Sequence, residues 1–441
     1  MWDLLIHQCD VLQLENNTAN ILVKQDVAVA GNRIVEVRPA AETPAPAHKV
    51  IDGRGMLAMP GLVNTHAHVP MVLFRGLAED VTLDVWFNDY IWPLESNLAE
   101  EDVYWGAMLG IAEMIEAGIT CVADHYFNMD EVAAAVEQAG IRANLTWAIF
   151  GHEGEAKIDA TSAFIRRWQG GAGGRITTWL GPHAPYTTGP DYLKLCARRA
   201  KELGVGIHTH VSETADQVTL SLREYGITPV RMLLDAGVLE VPTIFGHCLA
   251  PTPEDIDIMA DHAVGVAQAP KTYMKAGMGT APVLAYRQRG IPVGLASDGA
   301  CSSNTLDLLE QMRLLALTQK LRSSDPRELP VGEVLDIAFH GGPRVLGLGE
   351  VLGDVKPSML ADLVLLRQDS LATFPRYNPA ANLVYSSSAA DVDTVICDGK
   401  VLMEGRKLLT LDKARIKQEV STRLERLSQR VPGRRIATYP V

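Results

Sequence analysis

Short apolar runs recur through the middle of the chain, each followed by a stretch with helical spacing. The runs at 57–64, 119–125, 142–150, 176–182, 204–210, 243–247, 263–269 and 291–297 are nearly continuous in apolar residues, which predicts strands buried on both faces. Between them, 101–117, 131–139, 191–203, 253–262 and 306–321 carry the spacing of amphipathic helices. Gly118, Gly140, Gly204 and Gly290 directly follow helical patterns, the position where a left-handed residue commonly ends a helix. Alternating strands and helices imply a parallel sheet covered by helices, and eight such units fit a (β/α)8 TIM-type barrel. The competing arrangement is a doubly wound open sheet. No Gly-x-Gly-x-x-Gly follows the first strands, which weakens a dinucleotide fold.

The flanks follow a different pattern. Segments 3–9, 25–30, 33–38 and 49–52, and then 361–367, 393–398 and 400–404, read as short β-strands. They predict a small β-sandwich domain built from both chain ends, residues 1–56 and 355–410, beside a catalytic barrel over 57–354. Residues 411–441 are left as a C-terminal helix, charged and amphipathic over 411–430, and a tail with no legible pattern. The Pro- and Ala-rich stretch 39–47 predicts a surface loop.

Composition narrows the class of protein. The chain has 441 residues, 47% hydrophobic, enough for a large core. A net charge of −13 argues against nucleic acid or an anionic membrane as partner. No apolar run approaches a membrane span, and the first residues lack the basic and apolar regions of a secretion signal. The six cysteines form no Cys-x-x-Cys, so reduced thiols in a cytoplasmic enzyme are expected.

The polar residues gather at one rim of the expected barrel. Residues two apart on a strand point the same way, so His66 and His68 project together from the end of the first strand. Other strands end in Asp124-His125, Gly181-Pro182-His183, His208-Thr209-His210, Gly246-His247-Cys248 and Ser297-Asp298-Gly299. Seven of the twelve histidines thus fall at strand ends, where barrel enzymes build their active sites. His66, His68, His210 and Asp298 can supply three imidazoles and a carboxylate to one catalytic metal with a position left for water. Glu213, three residues past His210, can move a proton, and His247 can stabilise charge on an attacking oxygen. Asp298 can also accept the water's proton. His208 sits one layer deeper, in a packing or supporting role, and His125 is open between core and rim. Cys248 and Cys301 read as wall residues. His7, His48, His152, His262 and His340 read as structural.

These motifs resemble the amidohydrolase superfamily. The resemblance spans nearly the whole chain and is nearest to the branch of methylthioadenosine/S-adenosylhomocysteine deaminases and triazine hydrolases. It rests on 60–68, His210-x-x-Glu213, 246–248 and 297–299, and further on 70–80, Trp86, Pro93-Leu94-Glu95 and 181–186. It implies one divalent metal, usually zinc and sometimes iron. Binuclear relatives use a lysine on strand four, and 176–186 contains none. The resemblance further implies Glu95 on ribose hydroxyls and His183 on a ring nitrogen, with Trp86 as an apolar pocket wall. It implies a small heterocyclic substrate, and a homodimer or higher homo-oligomer.

Two departures bear on specificity. Relatives acting on S-adenosylhomocysteine place arginines after strand three, whereas 143–165 has none and Trp147 stands near that spot. After strand seven, Ala269-Pro270-Lys271-Thr272-Tyr273 replaces the family's Asn-Pro-x-Ser-Asn. Lys271 and Tyr273 either contact substrate or shape the loop. The expected activity is hydrolytic deamination of an amino-substituted nitrogen heterocycle, an adenosine-like nucleoside, purine or pterin. The alternatives are a triazine chlorohydrolase or aminohydrolase on the same metal site, and a non-catalytic scaffold.

Overall fold

The structure, a computed structural model, describes residues 1–431 and 433–440. The chain opens with five strands, β1 (Trp2–Glu15), β2 (Thr18–Ala30), β3 (Arg33–Pro39), β4 (Ala47–Asp52) and β5 (Met56–Pro60). The barrel strands follow: β6 (Leu62–His68), β7 (Ile119–Tyr126), β8 (Arg142–Ile149), β9 (Ile176–Pro182), β10 (Ile207–Val211), β11 (Thr243–His247), β12 (Val264–Gln268), β13 (Val293–Leu295) and its short continuation β14 (Asp298–Gly299). Then come β15 (Leu363–Arg367), β16 (Val392–Cys397), β17 (Lys400–Glu404) and β18 (Lys407–Leu408).

β6 to β12 pair in parallel, each with the next in sequence. Closure falls to a broken eighth strand. β13 pairs with β12, and β14 swings across to pair with β6, setting Asp298 opposite Ala67 and Gly299 opposite His68. Side chains bridge the break: Asn64 donates to Ser297 Oγ at 2.7 Å and accepts its amide at 3.0 Å, while Thr65 donates to Leu295 O at 2.8 Å. The eighth strand, expected as one run over 291–297, is therefore two pieces. The break brings Asp298 beside the histidines of β6.

The two chain ends build a second sheet of nine strands, ordered β18-β17-β16-β15-β5-β1-β2-β3 with β4 also on β1. It encloses its own core of Leu4, Ile6, Val27, Val29, Ile34 and Leu363. The run expected as one barrel strand at 57–64 is shared between the sheets. β5 pairs antiparallel with β15, and β6 pairs with β7. Gly61 makes the handover, because a Cβ there would lie 2.1 Å from Thr120 Oγ1. Arg142, at the start of β8, ties the sheets together through Asp362 at 2.8 Å and Asp398 at 2.6 Å. The expected helix over 411–430 forms as two shorter pieces, Lys413–Ser421 and Leu424–Leu427.

Candidate active site

Strand parity and strained strand ends together aim the site. His66 and His68 alternate with Ala67 on β6, and His208 and His210 alternate with Thr209 on β10, so each pair faces the barrel axis. At or just past the strand ends, Ser212 (φ 44°), His247 (φ 71°), Cys248 (φ 49°) and Asp298 (φ 59°) all adopt left-handed backbone. Residues other than glycine rarely do so, and such strain concentrates at functional sites. Here it turns Glu213, His247 and Asp298 back over the barrel mouth.

The imidazoles are fixed by what holds their Nδ1 atoms. His68 Nδ1 donates to His125 O at 2.6 Å, and His210 Nδ1 donates to His183 O at 2.9 Å. His66 Nδ1 lies 2.8 Å from His208 Nε2. Each ring therefore turns Nε2 toward one place. His210 Nε2 is 3.3 Å from His68 Nε2, and Asp298 Oδ1 is 3.3 Å from His68 Nε2 and 3.7 Å from His66 Nε2. His66 Nε2 is buried with no protein partner. A buried, unpartnered imidazole nitrogen beside a carboxylate and two further Nε2 atoms has the donor chemistry of a divalent metal site, and these residues fit such an ion. Burial, reinforced by the neighbouring imidazoles, holds His66 and His210 well below the ordinary histidine range; burial also lowers His68, with Asp298 opposing it. Neutral rings are what ligation requires. Gly246 passes close to both rings: a Cβ there would stand 3.3 Å from His66 and from His210, a tight contact that would press on both.

A cavity of about 990 Å³, open to solvent, rises above these groups. Glu213 lies on its wall with Oε1 3.7 Å from His247 Nε2. Burial raises the Glu213 carboxyl above the usual range, with His247 opposing the shift. Gln217 grips the same residue twice: its Oε1 accepts the Glu213 amide at 3.1 Å and its Nε2 donates to Glu213 Oε2 at 3.2 Å. His183 holds Nδ1 against Thr187 Oγ1 at 2.9 Å and presents the rest of its ring to the cavity. Glu95 lines the cavity too, pushed up to about 8 by burial, with the Tyr126 hydroxyl pulling the other way. Trp86 stands in the wall, edge-on to Phe87.

The structure brings His66, His68, His210, Glu213, His247 and Asp298 together, with His183, Glu95 and Trp86 around them. It does not bring in Trp147 or Lys271. On β8 it is Ala148 that faces the cavity, so Trp147 points outward onto Phe164 and under Lys157. Lys271 is turned away to Glu310 at 2.7 Å and Thr305 at 3.0 Å. The same short helix, Pro270–Lys275, instead presents Thr272 and Lys275. Tyr273 lies beneath the site against His247, its hydroxyl accepting the Ala269 amide at 2.8 Å. His125 lines the cavity floor, and Asp124 accepts the Val69 amide at 2.8 Å, steadying the turn after β6. Sequence reasoning missed Lys275 and Glu79 on the cavity wall, Asn304 that bonds to both, and Gln217. Of these, Gln217 had a signal: Thr214-x-x-Gln217 has the spacing of a helix start directly after Glu213.

Residues 57–402 match the amidohydrolase family, and the chain belongs to it. It is 45% identical over 434 residues to a 5-methylthioadenosine/S-adenosylhomocysteine deaminase of Pelotomaculum thermopropionicum, covering 98% of this chain and 100% of that one. A protein of the same name from Carboxydothermus hydrogenoformans is 44% identical over 95% of this chain and 97% of its own. Among solved structures, a zinc-bound adenosine deaminase from Xanthomonas campestris superposes with a TM-score of 0.92 at 30% identity, covering 97% of this chain and 98% of the other. A zinc complex of atrazine chlorohydrolase from Arthrobacter aurescens gives 0.86 at 25%, covering 96% and 100%. No helix among the described residues is long and apolar enough to cross a membrane.

Proposed function

We propose that the chain is a metal-dependent hydrolytic deaminase of an adenosine-like nucleoside, with methylthioadenosine the best-fitting substrate. The carrying observation is the convergence of three imidazole Nε2 atoms and Asp298 beneath a cavity walled by Glu213. The full-length relatives named as deaminases support it. His66, His68, His210 and Asp298 would hold the ion, zinc as in the structural neighbours, with iron as the alternative. A bound divalent ion supplies Lewis-acid activation of water at neutral pH.

The chain's own residues do the rest. Glu213, its carboxyl raised above the usual range by burial, carries a proton between the attacking water and a ring nitrogen. His247 faces the oxygen that adds to the amine-bearing carbon, Asp298 accepts the water's other proton and passes it to the departing amine, and ammonia leaves as the C–N bond breaks. His183 meets the heterocycle edge and Glu95 the ribose hydroxyls. Trp86, Phe87 and Trp92 exclude water.

Charge favours a neutral arm on the nucleoside. Among the described residues, Lys275 is the one lysine or arginine lining the cavity. Its ammonium is already held by Glu79 Oε2 at 2.7 Å and by Asn304. No free cation is left there for the carboxylate of a homocysteine arm, whereas a methylthio group needs none. The six free, buried cysteines support a cytoplasmic setting. A homo-oligomer completes the reading, and sedimentation velocity tests it.

The deciding experiment measures ammonia release by zinc-loaded protein from methylthioadenosine, adenosine, S-adenosylhomocysteine, aminopterins and aminotriazines. Methylthioadenosine should give the highest kcat/KM. Release from none of the panel would refute deamination. Chloride release from a chlorotriazine would favour the alternative that the 25% likeness to the atrazine enzyme supports.

A further inference from the structure

Tyr439, in the patternless stretch after 430, reaches back to the active site. It is 5% exposed and packs against two residues of the cavity wall. Its ring stacks on Phe87, with centroids 5.0 Å apart and planes at 12°, and meets the Tyr186 ring edge-on. Asn88 grips its backbone on both sides, accepting the Tyr439 amide at 2.9 Å and donating to its carbonyl at 3.1 Å. The tail is thereby bound to the same Trp86–Ile91 segment that supplies the cavity's aromatic wall.

The Tyr439 hydroxyl meets Gln217. Gln217 Nε2 has two protons: one goes to Glu213 Oε2 and the other to Tyr439 Oη, both at 3.2 Å. Its Oε1 is committed to the Glu213 amide. Gln217 is 4% exposed, so a partner lost there is poorly replaced from solvent. With Tyr439 Oη in place both N–H protons are engaged and the amide is held in one orientation, and that orientation aims the Glu213 carboxylate. Without it a buried N–H is orphaned, and the amide gains a reason to turn away from Glu213.

We infer that Tyr439 is a positioning residue: acting through Gln217, the C-terminal tail sets the Glu213 carboxylate for proton transfer while its ring braces the aromatic wall. The inference rests on the proton-carrying role proposed for Glu213. Proton transfer of this kind contributes about 10²–10⁴-fold, so partial misalignment predicts a loss of about tenfold.

Tyr439→Phe keeps both ring contacts and removes only the hydroxyl. In the full-length, zinc-loaded protein it should lower kcat about tenfold and leave KM and zinc content unchanged. Tyr439→Ala should also raise KM, because Phe87 loses its stacking partner. Hydrogen–deuterium exchange across 212–218 should quicken in Tyr439→Phe, since the Glu213 amide is bonded to Gln217. Parental kcat and parental exchange in Tyr439→Phe overturn the inference. Where that variant melts well below the parent, Asn88→Ala, which frees the tail backbone, carries the same expectation and the same refutation. A parent that deaminates nothing refutes the proposed function instead, and the exchange comparison still decides the tether.

Discussion

His208 offers a sharp test of how the candidate metal site is built. Two of the three imidazoles, His68 and His210, are oriented by backbone carbonyls that no substitution removes. His66 alone depends on a side chain, since its Nδ1 meets His208 Nε2 at 2.8 Å. For His66 Nε2 to ligate, Nδ1 has to donate and His208 has to accept. A neutral His208 is therefore required, and burial, with the neighbouring imidazoles, lowers its pKa to about 3. His208→Leu keeps similar bulk, removes the acceptor and leaves a buried N–H on His66, a cost of about 1–3 kcal/mol. Loss of an outer partner of a ligating histidine typically weakens metal binding by about 10–100-fold, or about 1.4–2.8 kcal/mol. The two ranges overlap, so a zinc Kd raised by 10–100-fold is expected in competition with a chromophoric chelator. His208→Gln, whose amide oxygen can accept, should recover part of the loss. A His208→Leu protein binding zinc as tightly as the parent would refute the claim that His208 orients His66.

Glu213→Gln should retain stoichiometric zinc and lose about 10²–10⁴-fold in kcat, measured by ammonia release, because an amide cannot shuttle the proton. Arg142→Leu should destabilise the protein by about 3–5 kcal/mol in urea unfolding, since Asp362, 4% exposed, loses its charge partner between the two sheets. His340 should impose a pH dependence of its own. Burial opposes its charge, but the bonds to Asp336 and Asp354 outweigh burial and lift it to about 9. A pKa raised on folding contributes stability in full below about 6.5 and loses it as pH rises through about 9. The fall in Tm between those values should therefore shrink in His340→Gln, and an unchanged slope would count against this linkage.

Much of the site was legible because barrel topology turns local spacing into position. His66 and His68 need only strand parity to share a face, and the rim rule then places His210, His247 and Asp298 near them. Parity also explains the error at Trp147. One residue along β8 exchanges outside for inside, so Ala148 faces the cavity and the tryptophan faces the helices. Lys271 failed for another reason. The strand-seven loop forms a short helix, and Glu310 on the neighbouring helix captures the lysine. That partner is far along the chain and no local pattern names it.

The amino-acid sequence by itself determined the alternation of elements, the strand character of both chain ends and the identity of the candidate metal ligands. Each is written in spacing over a few residues, and the backbone obeys that spacing wherever the chain folds. Tertiary structure decided what depends on long-range approach. It split the eighth strand so that Asp298 reaches β6, shared 57–64 between two sheets, and tied Lys275 to Glu79. It also seated Tyr439 against Gln217, 222 residues away in the chain. Contacts of that kind arise only when packing brings two remote segments together, and neither segment carries a local mark of the other.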